Sequence, residues 1–286
     1  MPEGRLNAMT VDVEDYFQVS AFEDVIAQSD WDTLSLRVED NTNRLLDLFA
    51  QHNVKSTFFT LGWVAQRCPQ LIKRIVAEGH ELASHGLLHK RATTMSRQAL
   101  FEDIKTSKDI LEDISGQPVF GYRAPSFSIN DSNTWAYEIL KELGFVYSSS
   151  TYPIEHDLYG VPDWPRFKFV REEGIIEVPI PTVRKDGVNT GIGGGGYFRL
   201  YPYWLSKRRI EKYFREESAP YSFYFHPWEI DSEQPRVASA PLKSRFRHYV
   251  NLSRMEGKLV RLLQDYRWGT MIDAYEIEVA PTGHVA

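Results

Sequence analysis

Short apolar runs alternate along this chain with longer segments in which apolar residues recur every three or four positions. The first pattern is typical of buried β-strands and the second of amphipathic α-helices. The runs predict strands at residues 7–13, 56–62 and 80–83 and within "VFGYR", "FVYSS", "IIEVPI" and "YSFYFHP". The periodic segments predict helices at residues 38–51, 69–78, 203–216 and 241–265, one containing Leu100 and Ile114 that ends near Gly116, and one from about Trp135 to Gly144.

Strands and helices in this order predict an α/β fold built on a parallel sheet or barrel. We expect one domain over residues 1–286, with its core between about residues 7 and 274 and a loop region over 151–174. In such folds the functional side chains collect at the carboxyl ends of the strands. The strand ends are therefore where a site is expected.

Composition and charge narrow the classes of partner. The chain has 286 residues, 42% of them hydrophobic, and a formal net charge of −6, which does not favour nucleic acid or an anionic membrane. Cys68 is the only cysteine, which excludes an internal disulfide and a multi-cysteine zinc site. No apolar run is long enough to span a bilayer, and residues 1–17 lack the apolar core of a signal peptide. We therefore expect a cytoplasmic protein.

Side chains that can bind a metal or transfer a proton follow four of the predicted strands. They are Asp12, Glu14 and Asp15 in "TVDVED", His85 and His89 in "SHGLLH", Arg123 in "GYRAP", and His226 in "FYFHPWE". Each one could be an ordinary surface or core residue by itself. Their shared position at strand ends predicts that they meet.

The histidine pair and the acidic cluster predict a metal centre. A catalytic zinc ion typically has three protein ligands and an open position, and nitrogen with oxygen donors also suits cobalt, nickel or iron. His85 and His89 could converge on one helical turn or from a loop, or could be unrelated surface residues. Carboxylates this close together are costly unless a cation intervenes. We expect one divalent ion, with zinc as the first candidate.

Three further residues have chemistry that suits such a centre. Asp12 could accept a proton from water, Arg123 could hold that carboxylate in place, and His226 could protonate a leaving amine. The simpler interpretations are a surface ion pair for Arg123 and a satisfied core residue for His226.

The order and spacing of the four motifs resemble the polysaccharide deacetylase family, carbohydrate esterase family 4, with its nodulation-type deacetylase homology domain. The resemblance extends over about residues 7–274. Segments such as "GGGGYFRLYPYWL" and "FRHYVNLSRMEGKL" resemble one branch, which is associated with exopolysaccharide biosynthesis and protein-sorting loci. The implied fold is a distorted (β/α) barrel with fewer than eight strands.

The resemblance also implies a role for each motif residue. Asp12 would be the catalytic base, His85 and His89 metal ligands, Arg123 the residue that orients Asp12, and His226 the acid. The chain would act on an N-acetylated sugar.

The sequence departs from the family pattern in three places. Val13 separates Asp12 from the next acid, so the third metal ligand is Glu14 or Asp15, and the acid–x–acid spacing of a related subgroup favours Glu14. Gly86 and Leu88 stand where hydroxyl residues are common. The segment "YSSS", residues 147–150, replaces the aspartate that often supports the acid histidine. The sequence therefore does not identify which polar residues support the metal ligands and His226.

Aromatic residues and a glycine run are candidates for binding the substrate. Tyr197 and Phe198 follow "GIGGGG", residues 191–196, which lacks the Gly-Lys-Ser/Thr of a phosphate loop. The glycine run is expected to be a flexible loop, and it could form a wall of the substrate cleft. The rings of Tyr197 and Phe198 could stack on sugar faces, as could that of Trp228, although core packing is the more common role. Pro125 in "YRAP" completes the predicted substrate-binding set.

The leading hypothesis is a metal-dependent amide hydrolase that removes N-acetyl groups from amino sugars of a polysaccharide or its precursor. One alternative keeps the metal but acts on a small cyclic amide, as in the allantoinase-like relatives. Another is a catalytically silent sugar-binding scaffold. The presence of every expected residue type favours an enzyme, and a homo-oligomer is compatible with each hypothesis.

Overall fold

A parallel β-sheet organises this computed structural model, which describes residues 4–156 and 159–279. The strands are β1 (Leu6–Val13), β2 (Thr57–Thr60), β3 (Glu81–Ser84), β4 (Gly121–Tyr122), β5 (Tyr147–Ser148), β6 (Phe169–Val170), β7 (Ile176–Glu177), β8 (Thr182–Lys185), β9 (Val188–Gly191), β10 (Ser222–Phe225) and β11 (Arg267–Gly269). The helices are α1 (Val38–Gln51), α2 (Gly62–Arg67), α3 (Pro69–Ala77), α4 (Arg97–Ser115), α5 (Ala136–Glu142), α6 (Gly195–Leu200), α7 (Tyr203–Glu216), α8 (Leu242–Tyr249), α9 (Leu252–Asp265) and α10 (Met271–Tyr275).

The strand order confirms the predicted distorted barrel. Neighbours follow the order β10-β1-β2-β3-β4-β5-β7-β6, and the first seven strands of this series are parallel. β6 adds an antiparallel edge and β11 pairs with β1 outside the series. The expected count of fewer than eight strands therefore describes the continuous parallel series, while the whole described sheet has nine strands.

β1 lies at the centre of the sheet, and its surroundings explain its sequence. Thr10 lies opposite Tyr224 of β10 on one side and Thr57 of β2 on the other. Residues 7–13 are all buried. This is expected for a strand of a parallel sheet, because such a strand is covered on both faces and therefore lacks the alternation of apolar and polar residues. The acids that follow this run therefore emerge beside the carboxyl ends of β2 and β10.

Local signals set the ends of several helices where the sequence predicts them. α1 has the predicted bounds, and α3 begins at Pro69, whose fixed φ and missing N–H suit the first helical position. Ser96 caps α4 by accepting a hydrogen bond from the backbone N–H of Ala99 at 3.2 Å. α4 ends at Ser115, and the following Gly116 caps it with a left-handed φ of 67°.

Four expectations about the elements were wrong in detail. The helix expected over 241–265 is two helices, because Asn251 adopts a left-handed φ of 54° between α8 and α9. The apolar run 56–62 leaves the sheet after Thr60, and α2 begins at its last residue. The loop expected over 151–174 contains β6, and the glycine run ends β9 and begins α6.

Among the described helices, none combines the length and apolar composition needed to cross a bilayer.

Candidate active site and metal centre

A cavity of about 180 Å³ opens at the carboxyl ends of the parallel strands. Its lining includes the predicted site residues Asp12, Glu14, His85, His89 and His226. All four motifs thus contribute to the lining, the fourth through Ala124, and Arg123 of that motif lies behind Asp12. The structure brings together the side chains that the strand-end argument expects to meet.

Glu14, His85 and His89 form a group that fits a metal ion. One potential ligand atom from each residue lies within 4.8 Å of the others. Glu14 Oε2 lies 2.7 Å from His89 Nε2, yet it is buried with no hydrogen-bond partner among the described residues. A buried carboxylate oxygen without a donor is costly, and a cation would satisfy it. The two imidazoles and one carboxylate fit the three-ligand set of a catalytic divalent ion.

Neighbouring groups orient two of these ligands. The Nδ1 atom of His85 is 2.7 Å from the carbonyl oxygen of Arg123, which leaves its Nε2 atom free for a ligand. The indole N–H of Trp228 donates to Glu14 Oε1 at 3.2 Å, which leaves Oε2 for the metal. The ring of Trp228 is stacked between His226, 5.1 Å away, and His248, 4.1 Å away. Trp228 therefore lines the cavity but has both faces covered, so its structural contacts support Glu14 rather than sugar stacking.

The charge states of the ligands suit a metal. Burial acts to raise the pKa of Glu14, but the imidazoles of His89 and His226 outweigh it and lower that pKa to about 2. Burial lowers the pKa of His85 to about 4. Near neutral pH, Glu14 is therefore a carboxylate and His85 a neutral imidazole, which are the forms that bind a metal ion.

The two histidine ligands converge from a loop and not from a helical turn. His85 directly follows β3, and the chain then turns through Gly86, whose φ is +78°. His89 itself has a φ of 52°, which is uncommon for a residue with a side chain. Such strain persists only where the surroundings hold it, and it is often found at functional sites.

Two polar residues of α4 hold this loop, and the sequence analysis missed both. Asp103 Oδ2 accepts a hydrogen bond from the backbone N–H of Leu87 at 2.9 Å, and Ser107 Oγ donates to the carbonyl oxygen of Gly86 at 2.9 Å. Asp103 and Ser107 therefore hold the loop through its backbone. They take the place of the hydroxyl residues that the loop itself lacks. Their signal in the sequence is an i, i+4 polar pair on the otherwise apolar face of a helix.

Asp15 has a different task from its neighbour Glu14. Its carboxylate accepts hydrogen bonds from the backbone N–H groups of Tyr16 at 2.8 Å, Arg37 at 2.6 Å and Val38 at 2.8 Å. Burial raises the pKa of Asp15 to about 6, although these donors oppose the shift. Asp15 thus connects the end of β1 to the start of α1, and the geometry favours Glu14 over the alternative ligand Asp15.

Arg123 is a buried residue that holds Asp12. Its Nη1 atom donates to Asp12 Oδ1 at 2.6 Å and to Thr10 Oγ1 at 2.9 Å. Its Nε and Nη2 atoms donate to the carbonyl oxygen and hydroxyl of Ser149 at 3.2 and 3.1 Å. The "YSSS" segment therefore supports Arg123, and the simple surface ion pair considered for this residue is excluded by its complete burial.

His226 faces the cavity with one ring nitrogen and a carboxylate with the other. Its Nε2 atom lies 3.6 Å from Glu14 Oε1 and 4.0 Å from Asp12 Oδ2, while Nδ1 lies 2.8 Å from Glu229 Oε1. Burial acts to lower the pKa of His226, but the carboxylates of Glu14 and Glu229 outweigh it and raise that pKa to about 9. The sequence analysis missed Glu229, whose signal is an acid three residues after the histidine.

Three of the predicted substrate-binding residues lie outside the described lining of the cavity. Pro125 is buried next to Gly86. Phe198 is buried with its ring 5.0 Å from that of Phe223, and Tyr197 is 46% exposed elsewhere on α6. Their predicted roles gain no support from these positions, because α6 turns its aromatic residues toward the core and the outer surface. Besides the predicted Trp228, the aromatic lining comes from three residues that the sequence analysis missed, which are Phe127, Tyr159 and Tyr224.

Comparison with known proteins divides the chain into two matched regions. Residues 22–148 match the family described as polysaccharide deacetylase, and residues 149–276 match a domain of unknown function, DUF3473. A peptidoglycan-N-acetylglucosamine deacetylase of Bacillus cereus is 35% identical over 104 residues, which are 36% of this chain and 47% of that protein. The chain thus matches less than half the length of this relative.

Solved structures with the same fold cover nearly the whole chain. A candidate polysaccharide deacetylase from Mycobacterium smegmatis superposes with a TM-score of 0.61 at 16% identity, over 100% of this chain and 96% of that one. A CE4 family pseudoenzyme from Bacillus anthracis superposes with a TM-score of 0.50 at 14% identity, over 99% of this chain and 69% of that one. At these identities the likeness shows the fold, and the pseudoenzyme illustrates that the fold alone does not decide catalysis.

The fold and the sequence match together define a deacetylase-type barrel. Residues 22–148 match the polysaccharide deacetylase family, which confirms the resemblance over that part of the chain. The site extends beyond the family match, because Asp12 and Glu14 precede it and His226 lies in the region of unknown function. β5 of the deacetylase match pairs directly with β7 of the DUF3473 match, so both matched regions contribute strands to the same sheet.

Proposed function

We propose that this chain is a divalent-metal-dependent hydrolase that removes N-acetyl groups from amino sugar units of a polysaccharide or its precursor. The observation that carries the proposal is the group of Glu14, His85 and His89, whose ligand atoms lie within 4.8 Å of one another next to the Asp12–Arg123 pair and His226. Relatives named as peptidoglycan and chitooligosaccharide deacetylases give the substrate class.

Glu14, His85 and His89 would hold the ion. A bound divalent ion would supply Lewis acidity toward the acetyl carbonyl and toward a water molecule. The two nitrogens and one oxygen suit zinc first, and also cobalt, nickel or iron.

The chain's own residues then divide the proton transfers. Asp12 Oδ1 is engaged by Arg123, so Oδ2 is the oxygen available to accept a proton from the attacking water. His226 Nε2, on the same side of the cavity, would protonate the nitrogen as the carbon–nitrogen bond of the acetamide breaks. The products are acetate and a free amino sugar. Phe127 and Tyr224 in the lining provide apolar surface for a sugar ring.

Mass spectrometry of a panel of N-acetylated oligosaccharides and cyclic ureides, incubated with metal-loaded protein, tests the proposal. We expect oligosaccharides that have lost single acetyl groups, and no such product with Asp12→Asn. Turnover of a ureide instead would establish the cyclic amide alternative. Tight binding of an oligosaccharide without turnover would establish the scaffold alternative.

A further inference from the structure

A buried carboxylate stands directly behind the candidate acid His226. Glu229 lies in the helical turn Pro227–Ile230 that follows β10, and it is 1% exposed. Its Oε1 atom is 2.8 Å from His226 Nδ1 and also accepts the backbone N–H of His226 at 3.1 Å. The same oxygen therefore contacts both the ring and the backbone of His226, which leaves the ring little freedom to rotate.

Arg199 on α6 fixes this carboxylate from the other side. Its Nε atom donates to Glu229 Oε2 at 2.6 Å, and the arginine is 2% exposed. The remaining donors reach the carbonyl oxygens of Arg247 at 3.0 Å, His248 at 2.7 Å and Val250 at 2.9 Å. A buried ion pair is poor evidence for stability, since desolvation of both charges opposes it. A pair this fully hydrogen-bonded is better explained by the orientation that it imposes.

The glycine run has a physical explanation in the same contact. A Cβ atom added to Gly195 would lie 2.3 Å from Glu229 Oε1, and one added to Gly194 would lie 2.5 Å from the hydroxyl of Tyr224. Both distances are far below van der Waals contact. The segment expected to be a flexible loop is instead a close-packed surface that admits the Glu229 carboxylate. One set of contacts around the Glu229 carboxylate therefore involves Gly195, Arg199 and His226.

We propose that Glu229 is the positioning residue of His226 and that Arg199 positions Glu229. A carboxylate at Nδ1 requires a hydrogen on that nitrogen, which directs Nε2 toward the cavity and the leaving amine. This inference rests on the proposed function for the role of His226. Glu229 takes the place left open by the "YSSS" segment, which supports Arg123.

The protonation of His226 is measured first, because it requires no turnover. A side-chain ¹H–¹⁵N correlation spectrum of zinc-loaded wild type contains the His226 signal, which is assigned by its loss in His226→Gln. Zinc is chosen because it is diamagnetic. We expect Nδ1 to have the chemical shift of a protonated nitrogen. An unprotonated Nδ1 would overturn the proposal.

Kinetics then separate positioning from a merely structural role. We expect Glu229→Gln to lower kcat about tenfold or more while KM changes less than about twofold, since a supporting partner acts on the acid and not on substrate binding. Glu229→Asp keeps the charge and should recover part of the loss. The matched control is Glu233→Gln, an exposed acid four residues away, which should leave both constants unchanged.

The decisive comparison is the double variant. If Glu229 acts through His226, adding Glu229→Gln to His226→Gln should cause no further fall in kcat. A second fall of the same size would show that Glu229 acts on the fold, and would overturn the proposal. Absence of wild-type turnover on every N-acetylated sugar would overturn the proposed function. The ¹⁵N spectrum would still decide whether Glu229 keeps a proton on His226 Nδ1.

Discussion

Asp12 and Arg123 are 111 positions apart in the chain and form a buried ion pair of 2.6 Å. Arg123 is fully buried and Asp12 is 2% exposed, and Arg123 is in turn held by Thr10 and Ser149. A charged pair this deep has nearly all of its hydrogen bonds satisfied, as burial requires. The relationship fixes one oxygen of Asp12 and leaves the other toward the cavity.

Replacement of Asp12 by asparagine should abolish hydrolysis without releasing the metal. The amide oxygen can still accept from Arg123, but the side chain no longer accepts a proton, so we expect a loss in kcat of roughly a hundredfold or more. The measurement is turnover together with metal content and thermal unfolding. Asp24→Asn, at an exposed position, is the control. Wild-type turnover in Asp12→Asn would remove this residue from the role of base.

The neighbours Glu14 and Asp15 should respond in opposite ways to loss of charge. Glu14→Gln should lower bound metal, because its Oε2 atom belongs to the three-ligand group. Asp15→Asn should retain metal but lower the free energy of unfolding by about 1–2 kcal/mol, because an amide cannot accept from all three backbone donors. Metal analysis and urea denaturation of both variants check this. Loss of metal only in Asp15→Asn would reverse the assignment.

Asp103 should control metal affinity from a distance. It holds the backbone of Leu87 between the two histidine ligands, so Asp103→Ala should weaken metal binding by about 10- to 100-fold. Asp103→Asn keeps an acceptor oxygen and should lose less. Asp109→Ala on the same helix removes an exposed acid and serves as control. The prediction fails if competition with a chelator gives equal affinities for Asp103→Ala and the control.

The adjacent glycines Gly195 and Gly196 of α6 provide a test position and its control, because only Gly195 contacts Glu229. Gly195→Ala should displace the Glu229 carboxylate and lower both kcat and stability, because the new methyl group would overlap it. Gly196→Ala has open space around the added atom and should be tolerated. Thermal unfolding and turnover of the two variants provide the measurement. Equal behaviour of both would show that Glu229 can move without consequence.

His80 should make the fold sensitive to acid. Burial lowers its pKa from 6.5 to about 4, and its Nδ1 atom accepts the backbone N–H of Ser56 at 3.2 Å. Between pH 4 and 6.5 the unfolded chain binds this proton more readily than the folded chain, so stability falls as the pH is lowered through that window. The free energy of unfolding lost across this window through His80 is roughly 3 kcal/mol.

Urea denaturation at several pH values compares wild type with His80→Asn, whose side-chain oxygen can accept from Ser56. We expect a smaller loss of stability at low pH in the variant than in wild type. Identical slopes would mean that His80 is protonated equally in both states.

Local patterns in the sequence were sufficient for most elements and for the side chains expected to bind a metal or transfer a proton. The bounds of α1 were predicted correctly, because its apolar period and neighbouring polar residues are local. The position of Asp12, Glu14, His85 and His226 after apolar runs was enough to predict a common site, because parallel strands end at one edge of a sheet. Each of these inferences needs only the order of residues along the chain.

The tertiary structure decided which side chains work together. The sequence left Glu14 and Asp15 as alternative ligands, with a preference for Glu14, and only packing directs one to the histidines and the other to the backbone of α1. Glu229 and Arg199 meet across 30 positions because α6 packs beside β10, and the steric need for Gly195 exists only there. The sequence alone determined the chemical types and their place at the strand ends, whereas side-chain direction depends on contacts between distant segments.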